Sequence, residues 1–235
     1  MRTDSDKRLA ELADRVAVCR LCPRLVTWRE QAAANPPRRH RSERYWARPV
    51  PGFGDPGARI VVVGLAPAAN GANRTGRPFT GDRSGEWLYA AMHRAGLANQ
   101  PTSTDRGDGL RLRDAYVTAV VRCAPPANRP SPAERDRCLP FLDQELRLLE
   151  RATVLLTLGA FAWDGTLRAL RDLGQPVPRP KPRFGHGAEV EVGPYRMLGC
   201  FHVSQQNTFT GKLTREMLDA VLARARSLAA EDGAS

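Results

Sequence analysis

Residues Arg59–Asp82 read RIVVVGLAPAANGANRTGRPFTGD, and this stretch decides the fold. Arg59–Leu65 is a continuous apolar run rich in valine, the pattern of a central parallel strand buried on both faces. At Gly64 the pattern breaks, and glycine, asparagine and proline fill the chain until a helix begins near Ser84. A buried strand that empties into a polar, glycine-rich loop before a helix opens an α/β unit, and such proteins keep their chemistry at strand ends. A second stretch has the same design. His202–Gly211, HVSQQNTFTG, leaves the apolar segment Tyr195–Phe201 and stops just before the last helix.

Working outward, Asp6–Cys19 reads as a helix, with Leu9, Leu12, Ala13 and Val16 at helical spacing. Arg24–Asp55 reads as an irregular surface loop, with prolines at 36, 37, 49 and 51. Its run Arg38-Arg39-His40-Arg41 either touches phosphates or is a solvated face, and Tyr45 and Trp46 pack the loop onto the domain. Helix Ser84–Ala95 turns Leu88, Met92 and Ala95 inward, and Gly96 suits its end. Asn99–Gly109 is a polar loop and Ala115–Val121 a second strand. Ser131, Pro132 and Glu134 start a helix that runs to about Glu150, with Pro140 marking a kink. Thr153–Leu158 is a third strand and Ala160–Leu173 a helix. A Pro-rich basic loop, Gly174–Gly187, follows. Glu189–Val192 and Tyr195–Phe201 are extended segments joined by Gly193-Pro194, and helix Leu213–Ala229 closes the chain before a disordered tail, 230–235.

Strands alternate with helices and no repeat is visible. The pattern predicts one α/β domain over residues 1–235, a three-layer α/β/α sandwich on a mainly parallel sheet of about four strands. Residues 1–58 form its helical and irregular N-terminal part. Right-handed crossovers place the strand ends Val63, Val121, Leu158 and Phe201 on one edge, together with Gly64–Asp82, Asn128 and His202.

The 235 residues are 42% hydrophobic, enough for a core, and 26% charged. The net charge of +11, nearly all of it arginine, suits a polyanionic partner such as nucleic acid, or reflects an arginine-rich genome. No apolar run approaches the ~20 residues of a membrane span, and the N-terminus has no apolar signal core. The expectation is a cytoplasmic monomer without membrane contact. In that compartment cysteines more often bind metal than form disulfides.

Cys19-Arg-Leu-Cys22 is a C-x2-C closed by Pro23, and Cys123 and Cys138 bring the set to four. Cys200 sits inside an apolar strand and reads as core. Four thiolates fit tetrahedral zinc or a cubane iron–sulfur cluster, and spacing does not choose between them. The plain alternative is four unrelated buried cysteines.

Asn70, Asn73, Arg74, Thr75, Arg77, Phe79 and Asp82 crowd between glycines that let backbone amides approach a ligand. Neither G-x-x-x-x-G-K-[ST] nor G-x-G-x-x-G occurs there. What remains is a polar pocket with one aromatic face, Phe79, and one carboxylate, Asp82. Each residue has a structural reading beside the functional one. Asp82 could cap the following helix, Asn128 could close the turn PPANRP, Phe79 could be core, and Arg74 and Arg77 could brace the loop or hold phosphates.

Together, GLAPAANGANRTGRPFTGD and HVSQQNTFTGKLT resemble the uracil-DNA glycosylase superfamily, most closely family 5, the type B enzymes of bacteria and archaea. The four cysteines resemble the iron–sulfur ligands of families 4 and 5. The match runs from Cys19 to about Thr214. The resemblance implies a monofunctional, nucleoid-associated repair glycosylase that flips a deaminated base from DNA, hydrolyses its N-glycosidic bond and leaves an abasic site. Type B enzymes accept uracil and also hypoxanthine and ethenocytosine. It implies a structural 4Fe-4S cluster on Cys19, Cys22, Cys123 and Cys138. In many relatives the second residue after the first motif glycine is an acid that handles water. Here it is Ala66, as in the type B pattern, so the carboxylate falls to Asp82. Asn128 assists it or binds the base edge, and His202 donates to the base carbonyl. Phe79 stacks on the flipped base, and Gly64, Leu65, Ala66, Pro67, Ala68 and Asn70 contact it. Ser204, Gln205 and Asn207 belong to a loop entering the minor groove. Type B sequences often carry histidine where this chain has Asn70, which bears on base preference. The rival reading is an inactive iron–sulfur protein that binds lesions. A zinc-stabilised nucleotide hydrolase is the third, and no H-E-x-x-H supports it.

Overall fold

The computed structural model describes residues 4–231. Helix α1 (Asp4–Ala17) buries Leu9, Leu12 and Val16. After the Cys19–Cys22 turn, Pro23 opens α2 (Pro23–Ala34). This helix corrects the reading of Arg24–Asp55 as wholly irregular. Its buried side chains are Leu25, Val26 and a charged residue, Arg29, so no apolar stripe announces it. The rest of that segment holds a single 3-10 turn, Arg38–His40, and a two-residue strand, β1 (Phe53–Gly54).

The next elements are β2 (Ile60–Gly64), α3 (Ala72–Thr75), α4 (Arg83–Arg94), β3 (Ala115–Ala119) and α5 (Pro132–Leu148). They are followed by β4 (Val154–Leu158), α6 (Ala160–Asp172), β5 (Glu189–Val192), β6 (Tyr195–Cys200), α7 (Gln205–Phe209) and α8 (Arg215–Glu231). Ala230 and Glu231 thus complete α8 instead of starting a tail, and 232–235 lie outside the described residues.

The sheet has six strands in the order β1-β3-β2-β4-β6-β5. The middle four are the expected parallel strands, and β1 and β5 add antiparallel edges. β1 is too short to show alternation, and three of the four residues of β5 keep some exposure, so neither resembles a core strand. In β2 every residue is buried, and alternate side chains serve opposite faces. Val61 and Val63 meet α1, α5 and α6, whereas Ile60 and Val62 meet α4 and α8. Each such side chain contributes about 1.5–3 kcal/mol on burial. Helices on both faces make the three layers, and the ends of β2, β3, β4 and β6 share one edge.

Helix ends match their local signals. Ser131 and Glu134 form a reciprocal capping box on α5, which runs through Pro140 as one element. Gly96 follows α4 with φ of 73°. Ser204–Thr208, expected as a loop, is instead the cap and most of α7, because the Ser204 hydroxyl accepts from the Asn207 N–H.

Candidate active site

Gly64, the last residue of β2, forms the floor. A Cβ there would lie 2.7 Å from Phe79 Cζ, so the ring rests on bare backbone. Phe79 itself has φ of 48°, a conformation that costs energy for a bulky residue and that gathers at functional sites. Its carbonyl abuts Gly85 in the first turn of α4, and its ring lies 6.1 Å from the His202 imidazole, centroid to centroid. Phe79 therefore joins the start of α4 to the end of β6. The two sequence stretches meet here, as the strand order requires.

Asp82 caps α4. Its Oδ1 accepts from the Gly85 N–H at 2.9 Å. A Cβ on Gly71 would fall on Asp82 Oδ2, so that glycine lets the carboxylate lie against the loop. Burial raises the Asp82 pKa, and the amides of Gly85 and Ser84 oppose the rise. The structural reading of Asp82 as the cap of the following helix is thus correct.

The loop around it is braced by side chains. Arg77, 4% exposed, is held by Asp108, Ser103 and Thr80. Arg74 bonds the carbonyls of Asn70 and Gly81 and pairs with Glu43. These two arginines are braces, and Arg77 is closed to phosphates. Fully buried Asn73 donates to the carbonyls of Ala69 and, on α2, Arg29. Asn70 accepts a hydrogen bond from the Tyr45 hydroxyl at 3.0 Å, which leaves its amide N–H groups for another partner. The backbone N–H groups of Ala66, Ala68, Ala69 and Asn70 meet no protein acceptor among the described residues, so the turn presents unused donors. Leu65 still belongs to the sheet edge, its carbonyl accepting from the Val121 N–H, and Pro67 is buried.

His202 makes no side-chain hydrogen bond among the described residues, and its burial pushes the imidazole pKa down to about 4. It is a neutral ring at pH 7. Asn207 holds its backbone, donating from Nδ2 to the His202 carbonyl at 2.8 Å. Gln205 is exposed on α7, and Phe209 at the end of that helix is 66% exposed, with the Arg83 guanidinium 4.8 Å from the ring centroid. Apolar residues in loops carry no periodic signal, so Phe209 escapes sequence reading. Asn128 is exposed at the tip of a short turn with φ of 55° and makes no hydrogen bond to Asp82 or His202. The structure does not bring it into contact with the other candidates.

The four cysteines line one small apolar cavity, with Val121, Phe141 and Arg122 around them. Burial pushes the Cys123 thiol up to about 11 and Cys138 up to about 12, so a bound metal must displace their protons. Donors already point at the sulfurs. The Arg29 guanidinium lies 3.0 Å from Cys123 Sγ, and the Arg122 N–H lies 3.3 Å from Cys138 Sγ. Arg29 is 2% exposed, and among the described residues its Nε has no partner and it bonds no carboxylate. A buried cation of this kind calls for an anion, and metal-bound thiolates supply one. Among the described residues no three donors close on a single metal ion. Arg29 lies within a helix that the sequence did not reveal, so this contact was illegible.

The sequence has known counterparts. Residues 51–226 match the family model described as the uracil DNA glycosylase superfamily, and the chain belongs to that superfamily. A type-5 uracil-DNA glycosylase of Mycobacterium bovis is 53% identical over 223 residues, covering 94% of this chain and 82% of that protein. Type-5 proteins of Mycobacterium leprae (52% identity, 94% and 96% covered) and Thermus thermophilus (51%, 91% and 95%) are similar throughout. Type-4 proteins, such as that of Archaeoglobus fulgidus, match at 37% over about half the chain. Within the superfamily the chain falls in the type-5 family.

Proposed function

We propose that this chain removes uracil from DNA by hydrolysing the N-glycosidic bond, with Asp82 and His202 as its central catalytic groups. The observation that carries the roles is Phe79, which ties the Asp82-capped helix to His202 at one sheet edge, in a member of the glycosylase superfamily. Breaking the C1′–N bond builds positive charge on the sugar and negative charge on the base. Water adds to C1′, and the base leaves with the electron pair and takes up a proton. Asp82 stabilises the cationic sugar and orients the water. The neutral His202 donates an N–H to a base oxygen, supported by the unused amides of the 66–70 turn. Phe79 stacks on the flipped base, Asn70 contacts its edge, and Asn128 meets the nucleotide only when DNA is bound. Ser204, Gln205 and Asn207 place α7 in the minor groove, with Phe209 as its apolar wedge.

Hypoxanthine and ethenocytosine are further substrates in this reading, and the product is an abasic site. Cys19, Cys22, Cys123 and Cys138 hold a structural 4Fe-4S cluster, which would tie α1 and α2 to α5. The buried Arg29 charge supports this assignment. The protein works as a monomer on nucleoid DNA, a cytoplasmic setting consistent with no described helix being long and apolar enough to cross a membrane.

A single-turnover assay tests the activity, with labelled duplexes containing uracil, hypoxanthine or ethenocytosine. Strand breaks appearing only after alkali are expected for all three. No breaks with uracil, from folded protein containing iron, would turn the reading to a lesion-binding protein.

A further inference from the structure

A cleft of about 320 Å³ lies beside the Asn70 turn, lined by Arg44, Tyr45, Trp46, Arg48, Arg74 and Thr75. Its wall is fixed to the active-site loop. The Trp46 and Ala47 N–H groups donate to the carbonyls of Arg74 and Asn73 at 2.9 and 3.0 Å, and the Tyr45 hydroxyl bonds Asn70. Gly76 admits the indole, since a Cβ there would lie 2.8 Å from Trp46 Cδ2. Two guanidinium groups stack on that indole, Arg106 at 4.5 Å and Arg48 at 5.5 Å from its centroid.

Charge in the cleft is unbalanced. Arg74 is neutralised by Glu43. Arg44, Arg48 and Arg106 are exposed, and among the described residues none bonds a carboxylate. A guanidinium laid on an aromatic plane is held in place while its N–H edge stays open, the geometry that binds phosphate oxygens in pairs. Arg77 and Arg122, by contrast, are spent on buried carboxylates.

We propose that Arg48 and Arg106, stacked on Trp46, together with Arg44 of the same cleft wall, bind the phosphodiester backbone of DNA beside the flipped nucleotide. The inference rests on the chain acting on DNA. Because the wall carries the Asn70 turn, a phosphate seated there sets the register of the strand against the pocket. The contact positions the substrate and takes no part in bond cleavage.

The test measures binding of the iron-loaded protein to a short duplex carrying a tetrahydrofuran abasic-site analogue, across a salt series. For three lost phosphate contacts, the combined Arg44→Gln, Arg48→Gln and Arg106→Gln variant should make the negative slope of log K against log salt shallower by about 2.7. Arg44→Gln alone makes no ring contact to lose, and should make it shallower by about 1. The control is Arg113→Gln with Arg226→Gln, exposed cations beside the strand starts and the end of α4, which should leave the slope at the wild-type value. An unchanged slope in the Arg44 and triple variants overturns the proposal, as does an equal change in the control. Failure of the wild type to release uracil would count against the glycosylase reading alone, since the salt slopes do not depend on cleavage.

Discussion

Gly71 decides where the proposed carboxylate can lie. Any side chain there would displace Asp82 Oδ2, while the α4 amides hold the other oxygen. Asp82 caps α4, as one reading of the sequence had it, and a cap does not preclude the catalytic role proposed above for the same side chain. His202 yields a pH prediction. Its folded pKa of about 4 lies below the 6.5 of an ordinary imidazole, so the unfolded chain binds the proton first. The stability this gives is complete above pH 6.5 and is lost as the pH falls toward 4. Denaturant unfolding at a series of pH values should show the wild type losing stability relative to His202→Gln across that window. Parallel curves would mean that burial does not hold the ring neutral. The Asp82 cap and the meeting of the Phe79 and His202 stretches at one sheet edge were legible, because both stretches leave strand ends. The packing of Tyr45 onto the domain was legible, but its bond to Asn70, like the contacts of Arg29 and Phe209, was not, since these partners lie tens of residues away.

Elements with strong local chemistry follow the sequence, and those without it do not. α5 is announced by Ser131, Pro132 and Glu134, and its capping box forms in full, with Glu134 also paired to Arg24 of α2. Ser131→Ala should therefore cost about 1 kcal/mol. For a protein of this size the melting temperature should fall by about 2–4 °C in calorimetry. An unchanged melting point would mean that the cap contributes nothing. α2, by contrast, buries an arginine and two aliphatic residues, so its face is written in tertiary contacts. β1 is a two-residue edge strand, and α7 begins at a serine cap followed by polar residues, the composition of a loop. These are the places where packing overrides local preference.

At the scale of the molecule, four parallel strands carry the two motif stretches to one edge, and helices pack on both faces of the sheet. The cysteine cavity sits behind this edge and is linked to it by one chain of contacts. Arg29 reaches Cys123 through its guanidinium and Asn73 through its carbonyl, and Asn73 holds the turn at Ala69. The layers and the shared edge of strand ends were legible because β2, β3 and β4 are buried throughout, whereas the strand order was not. The link through Arg29 exists only in three dimensions. The central claim is that the Asp82 charge drives base release. Asp82→Asn keeps an oxygen for the helix cap and removes the charge, so single-turnover uracil release by this variant tests the claim most directly. The account predicts a fall of about 10²-fold or more, with binding to a tetrahydrofuran duplex close to wild type. Release within about threefold of wild type would contradict it and leave Asp82 only as the cap of α4.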